Sequence, residues 1–98
     1  MIVVRNTFQL AFGKAKEGRA MWQDGKHFAE DAGAHSVRML TDLTGPSYTL
    51  VLEFTYDDLA AFEAGSREIF GSDGWQAWYR KFVPLVMSGH REIYTVVE

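Results

Sequence analysis

The stretch Ser47-Tyr48-Thr49-Leu50-Val51-Leu52-Glu53-Phe54-Thr55 alternates large apolar side chains with smaller or polar ones, and its β-branched and aromatic residues suit a pleated surface. It predicts a central strand. Because strand side chains alternate with period two, Tyr48, Leu50, Leu52 and Phe54 share one face and Thr49, Val51, Glu53 and Thr55 the other. The first row reads as core. The second carries a Val among polar groups, too apolar for open water and too polar for a core built within one chain, and so predicts a partner surface.

Upstream of this strand, Thr44-Gly45-Pro46 has turn chemistry, so the segment from about His35 to Leu43 pairs with it as an antiparallel hairpin. That segment puts Val37 and Met39 on one face and Ser36, Arg38 and Asp42 on the other, the mixed character of an edge. Ile2 to Leu10 predicts a first strand, with Ile2, Val4, Phe8 and Leu10 in an apolar row interrupted by Asn6. Gly13 marks a turn. Apolar or small residues from Ala15 through Met21, Trp22, Gly25, Phe28 and Ala29 to Ala32 then recur at the helical period, predicting one helix over Lys14 to about Asp31. Gly25 inside it costs up to about 1 kcal/mol relative to Ala, and either permits close approach of a neighbour or is a tolerated defect.

Downstream, Asp57 or Asp58 can cap a helix whose buried side is Leu59, Phe62, Ser66 and Ile69. Ser72 and Asp73 can cap another, with Trp75, Trp78, Tyr79 and Phe82 on one stripe, and Pro84 ends it near Val83. A last strand runs from about Met87 to Val97. The order of strands and helices is that of the split βαβ, or ferredoxin-like, α+β fold: a four-stranded antiparallel sheet with helices on one face. First and third strands are central in this topology. The helices cover their apolar rows and leave bare a face bearing Val3, Arg5, Thr7, Thr49, Val51 and Glu53, which a second copy most economically covers as a homodimer.

The 98 residues suffice for a single domain over 1–98. A net charge of -3 with ten scattered basic residues lacks the basic stripe that nucleic acid requires. Cysteine is absent, which excludes disulfides and thiolate chemistry. Met1-Ile2-Val3-Val4-Arg5 is too short an apolar run for a signal peptide, and no stretch approaches the roughly 20 apolar residues of a membrane span. A soluble, cytoplasmic protein with neither a nucleic-acid nor a membrane partner is expected.

Two readings stand for Asn6. An amide in an apolar row must find partners or cost roughly 1 to 3 kcal/mol; it is either a structural amide bonded to backbone or a group that orients a ligand carbonyl or hydroxyl. The aromatics Trp22, Phe28, Trp75, Trp78 and Tyr79 either fill core or line a pocket with an apolar wall, the usual form of a small-molecule site. His27 sits on the polar side of the first helix, and His27, His35 and His90 have no metal-ligand spacing. No phosphate loop or nucleophile elbow occurs. Arg38 and Arg91 are expected to pair with Glu53 or Glu92 across neighbouring strands.

The segments Leu52-Glu53-Phe54 into Asp57-Asp58-Leu59-Ala60-Ala61-Phe62-Glu63, Trp75-Gln76-Ala77-Trp78 through Phe82-Val83-Pro84-Leu85-Val86, and Arg91-Glu92-Ile93 resemble the NIPSNAP-like proteins of the dimeric α/β-barrel superfamily. That superfamily includes antibiotic biosynthesis monooxygenases and haem-degrading monooxygenases, whose first strand carries an Asn in a context similar to Arg5-Asn6-Thr7. On the haem-degrading pattern the axial His falls on Tyr79 and the Trp on Ile69, so the resemblance implies no haem, and no cofactor is expected. Three functions are compatible with these residues, the second being what the resemblance implies. The chain binds a small apolar or aromatic molecule beneath the helices; or it is a cofactor-independent monooxygenase of an aromatic substrate, with Asn6 and a Trp placing oxygen; or it is a non-catalytic interaction module.

Overall fold

Alternation along the central strand is realised in a four-stranded antiparallel sheet of order β2-β3-β1-β4, seen in a computed structural model that describes residues 1–98. In chain order the elements are β1 (Ile2–Leu10), α1 (Ala15–Gly25), α2 (His27–Asp31), β2 (Ser36–Thr41), β3 (Thr49–Tyr56), α3 (Leu59–Phe70), α4 (Asp73–Phe82), a 3-10 turn over Val83–Leu85, and β4 (Val86–Thr95). This is the ferredoxin-like α+β arrangement, with β1 and β3 central as expected. In register, Val4 faces Phe54, Asn6 faces Leu52 and Phe8 faces Leu50, so the apolar rows of both strands point to the same side. There they meet Trp22 of α1, Ala29 of α2, Trp78 and Phe82 of α4 and Leu85 in one core, in which Val4, Leu50 and Leu52 are wholly buried.

Local chemistry sets the helix starts. Asp58, rather than Asp57, caps α3 by accepting the Ala61 N–H at 2.8 Å, and Ser72 caps α4 by accepting the Trp75 N–H at 3.0 Å. Asp57 instead meets His35 Nε2 at 2.7 Å. Pro84 lies in the 3-10 turn that ends α4, as its missing N–H requires.

Several boundaries differ from the sequence reading. The helix expected over Lys14 to Asp31 is two helices broken at Lys26, where His27 Nδ1 lies 2.6 Å from the Asp24 carbonyl and competes for one of the last acceptors of α1. β3 begins at Thr49 and runs to Tyr56, because Tyr48 takes a left-handed φ of 63° and leaves the strand; half-buried, it packs edge-on against Phe12 instead of sitting in the core row. β2 is shorter than expected, Ser36–Thr41, and β4 is Val86–Thr95 rather than Met87 to Val97. Leu59 is exposed, not buried. The closest approach of α3 is made by Gly65, where an added Cβ would strike the Ala32 carbonyl oxygen. At Gly25 the neighbour is the Trp78 indole, 2.5 Å from where a Cβ would be, so this glycine is a packing site and not a defect.

The sheet face away from the helices carries one ionic row across three strands. Arg5 and Arg38 flank Glu53 in register, Arg5 Nε donating to Glu53 Oε2 at 2.8 Å and Arg38 Nη2 to Oε1 at 2.6 Å. Glu53 is thereby buried to 7% exposure on a face with no helix over it. The hydrogen bond from Arg38 is the largest influence holding the Glu53 carboxyl below its ordinary pKa; desolvation opposes it and Arg5 adds to it. The expected Arg38 pair is therefore present, and Arg5 joins it. The expected pairing of Arg91 with Glu53 or Glu92 is absent, because the pleat turns Arg91 to the helix side with Asn6.

Two tests follow from this packing. Gly65→Ala should destabilise by roughly 1 to 3 kcal/mol despite its gain in helix propensity, since backbone cannot yield, whereas Gly74→Ala, with only ordinary contact to Phe28, should stabilise by roughly 0.5 kcal/mol; urea melts measure both. A carboxyl whose folded pKa is depressed contributes stability that is present above the unfolded pKa and lost as pH falls through the folded one. Wild type and Glu53→Gln should therefore differ by about 1 kcal/mol near neutrality, a value discounted for the water around both arginines, and converge in acid below the lowered pKa of Glu53.

Candidate functional site

Asn6 is the polar interruption of the β1 apolar row, and β4 sets Arg91 directly opposite it. Arg91 Nε donates to Asn6 Oδ1 at 2.9 Å. A guanidinium has only donors, so the amide oxygen must face it and the Nδ2 end remains as a donor without a protein partner. The guanidinium also lies over the Phe62 ring, 5.3 Å from its centroid.

This pair forms the polar end of a cavity of about 630 Å³ that opens along β4. Its apolar wall is Phe8 and Phe82 with Trp22, Trp75 and Trp78, and the exposed Phe70 and Tyr79 stand at the rim. Beyond Asn6 and Arg91 a smaller cavity of about 70 Å³ reaches Phe28, Tyr56 and Phe62. Burial raises the Tyr56 phenol above its ordinary pKa, with the Arg91 charge opposing.

The wall is an aromatic lattice. Trp75 stacks on Trp78 at 5.0 Å, Trp78 on Phe82 at 5.3 Å, and Trp22 meets Trp78 edge-on at 4.6 Å. Trp78 is locked by donating its Nε1–H to the Met21 carbonyl at 2.9 Å. Trp22 differs: its Nε1 is buried without a hydrogen-bond partner.

Of the residues singled out from sequence, the fold brings Asn6, Trp22, Trp75, Trp78 and Tyr79 around the larger cavity. Phe28 lines the smaller one and meets Trp75 edge-on at 5.6 Å. Asn6 bonds a side chain, neither free nor tied to backbone. Phe8 and Phe82 were legible as lining residues, being two places along the strand from Asn6 and seven along the helix from Trp75. Arg91 was not, because only strand register brings it beside Asn6. His27 is exposed, as expected; His35 pairs with Asp57 and His90 lies 3.7 Å from Glu92. No group of three or more His, Asp or Glu is placed to hold a metal ion, and no helix is long and apolar enough to cross a membrane.

Fold and cavity together define a ferredoxin-like α+β protein whose helices roof an aromatic-lined space over the sheet. The sequence matches the NIPSNAP family profile over residues 4–98, and the chain belongs to that family. No curated relative matches it. Among solved structures it is similar to an uncharacterised NIPSNAP domain protein from Burkholderia xenovorans, with 22% identity, 99% of this chain and 95% of that one covered, and a TM-score of 0.90. A NIPSNAP family protein from Agrobacterium tumefaciens is 16% identical, with 99% and 93% covered and a TM-score of 0.90. SnoaB, a cofactor-independent oxygenase from Streptomyces nogalater, is 14% identical, with 99% and 93% covered and a TM-score of 0.77. At these identities the likenesses establish the fold.

Proposed function

We propose that this chain works as a homodimer that binds a small apolar or aromatic molecule between sheet and helices. The observation that carries the reading is the cavity: about 630 Å³, walled by Phe8, Phe82 and three tryptophans, with Asn6 and Arg91 as its polar end. A space of that volume with an apolar wall and few convergent polar groups is the form small-molecule sites take. Asn6 and the aromatics Trp22, Trp75 and Trp78 are the proposed contacts, with Tyr79 at the mouth and Phe28 behind. The dimer is supported by the opposite face, where Val3 and Val51 lie half-buried beside the Arg5–Glu53–Arg38 row. A second copy of that face would dry both valines and the ion pairs.

A second reading, an oxygenase working without a cofactor, is favoured by the likeness to SnoaB together with the unpartnered Asn6 Nδ2. In such chemistry the protein desolvates an aromatic substrate and stabilises its anion, and the amide donor suits a developing oxyanion.

Titration with naphthol under air, reading tryptophan fluorescence and oxygen uptake together, separates these readings. Quenching without oxygen uptake, weakened about fivefold to tenfold by Asn6→Ala, is expected of a binder that loses one hydrogen bond. Oxygen uptake abolished by the same variant would establish the oxygenase, and the absence of both signals would remove the cavity reading. For the assembly, sedimentation at micromolar concentration should give a dimer that Val51→Lys dissociates, because an unpaired charge would be buried in the interface. A wild-type monomer would defeat it.

A further inference from the structure

We infer that the molecule held in the cavity is an aromatic acid whose anionic oxygens rest on the Arg91 guanidinium. This rests on the reading of the cavity as a small-molecule site and adds the charge of the ligand. Ion pairing in the fold singles Arg91 out. Arg5 and Arg38 share Glu53, Arg67 reaches Glu63 and Lys14 meets Glu17; of the six remaining lysines and arginines, which take part in no ion pair, Arg91 alone lines either cavity. No acidic residue lines either cavity. An otherwise acidic protein, net charge -3, thus presents one unneutralised cation to an aromatic-walled space. Arg91 is exposed on the edge strand, so its attraction for an anion at the mouth of this space is one that salt screens.

The guanidinium is also held in a set orientation. Its Nε–H is spent on Asn6 Oδ1 at 2.9 Å and its Cζ lies over the Phe62 ring, which leaves the four N–H groups of the two terminal nitrogens. Two parallel N–H groups are what a carboxylate accepts as a fork. A cationic ligand would face the Arg91 charge directly, and a neutral hydrocarbon would leave that charge to water.

Isothermal titration calorimetry at neutral pH with naphthoate, and with naphthylmethanol as its neutral analogue, tests the charge. Naphthoate should bind about tenfold more tightly or better, and the preference should shrink as salt is raised. Arg91→Met should weaken naphthoate about tenfold and erase the preference, while Arg91→Lys, a point charge without the fork, should keep part of it. Arg67→Met, on the outer surface of α3, should leave naphthoate binding unchanged. Thermal melts establish that each variant folds, and should Arg91→Met not, the wild-type preference, its salt dependence and the lysine variant decide. Equal affinity for acid and alcohol, or a preference that survives Arg91→Met, overturns the acid assignment and leaves the cavity reading standing. Binding of neither probe overturns both.

Discussion

The antiparallel register of β1 between β3 and β4 is the constraint from which the rest of the molecule follows. It places Asn6 between Leu52 and Arg91, and Arg5 between Glu53 and Glu92. Because the pleat alternates, these two adjacent rows point to opposite sides of the sheet. One becomes the polar end of a roofed cavity, and the other an ionic row on a bare face. A slip of β1 by one residue would turn Arg5 beneath the helices, expose Val4 and Phe8 and leave Glu53 without its β1 partner, so a single buried face is enough to specify both surfaces.

What roofs the cavity is rigid by construction. Aromatic side chains with few rotatable bonds, stacked at 5.0 and 5.3 Å, cannot collapse into vacant volume as aliphatic chains would. Gly25 admits the Trp78 indole and Gly65 admits the Ala32 carbonyl, so the roof is drawn close at two points while its centre is propped open by rings. The polar end is ordered the same way. The Arg91 guanidinium is tied at one side by the Asn6 amide oxygen and lies over the Phe62 ring, which restricts the orientations it can take.

Much of this was legible from residue order. The alternation of Leu50, Leu52 and Phe54 predicted the strand, the capping pairs Asp57 or Asp58 and Ser72 with Asp73 predicted the helix starts to within a residue, and the stripe Trp75, Trp78, Phe82 predicted a face turned to the sheet. Where the reading failed, a contact outside the local window had decided the matter. Tyr48 leaves its strand at a tight turn held by Gln9, whose Nε2 donates to the Ser47 carbonyl at 2.6 Å across the sheet. The helix break at Lys26 accompanies a side-chain bond that competes with the backbone ladder. Leu59 looked buried on helical spacing yet is exposed at the start of α3, while Phe62, Ser66 and Ile69 of the same predicted side are half-buried.

By itself, then, the amino-acid order determined the elements, the faces of the central strands and the aromatic character of the helices, because period and propensity act over a few neighbouring residues. Only the tertiary structure decided that Arg91 stands beside Asn6 rather than beside an acid, that Glu53 is shared by two arginines, and that Trp22 and Trp78, packed in the core, also border the space along β4. Those outcomes depend on the pairing of distant strands, as of Asn6 with Arg91, 85 residues apart in the chain, and on how closely backbone can approach backbone, neither of which any local pattern encodes.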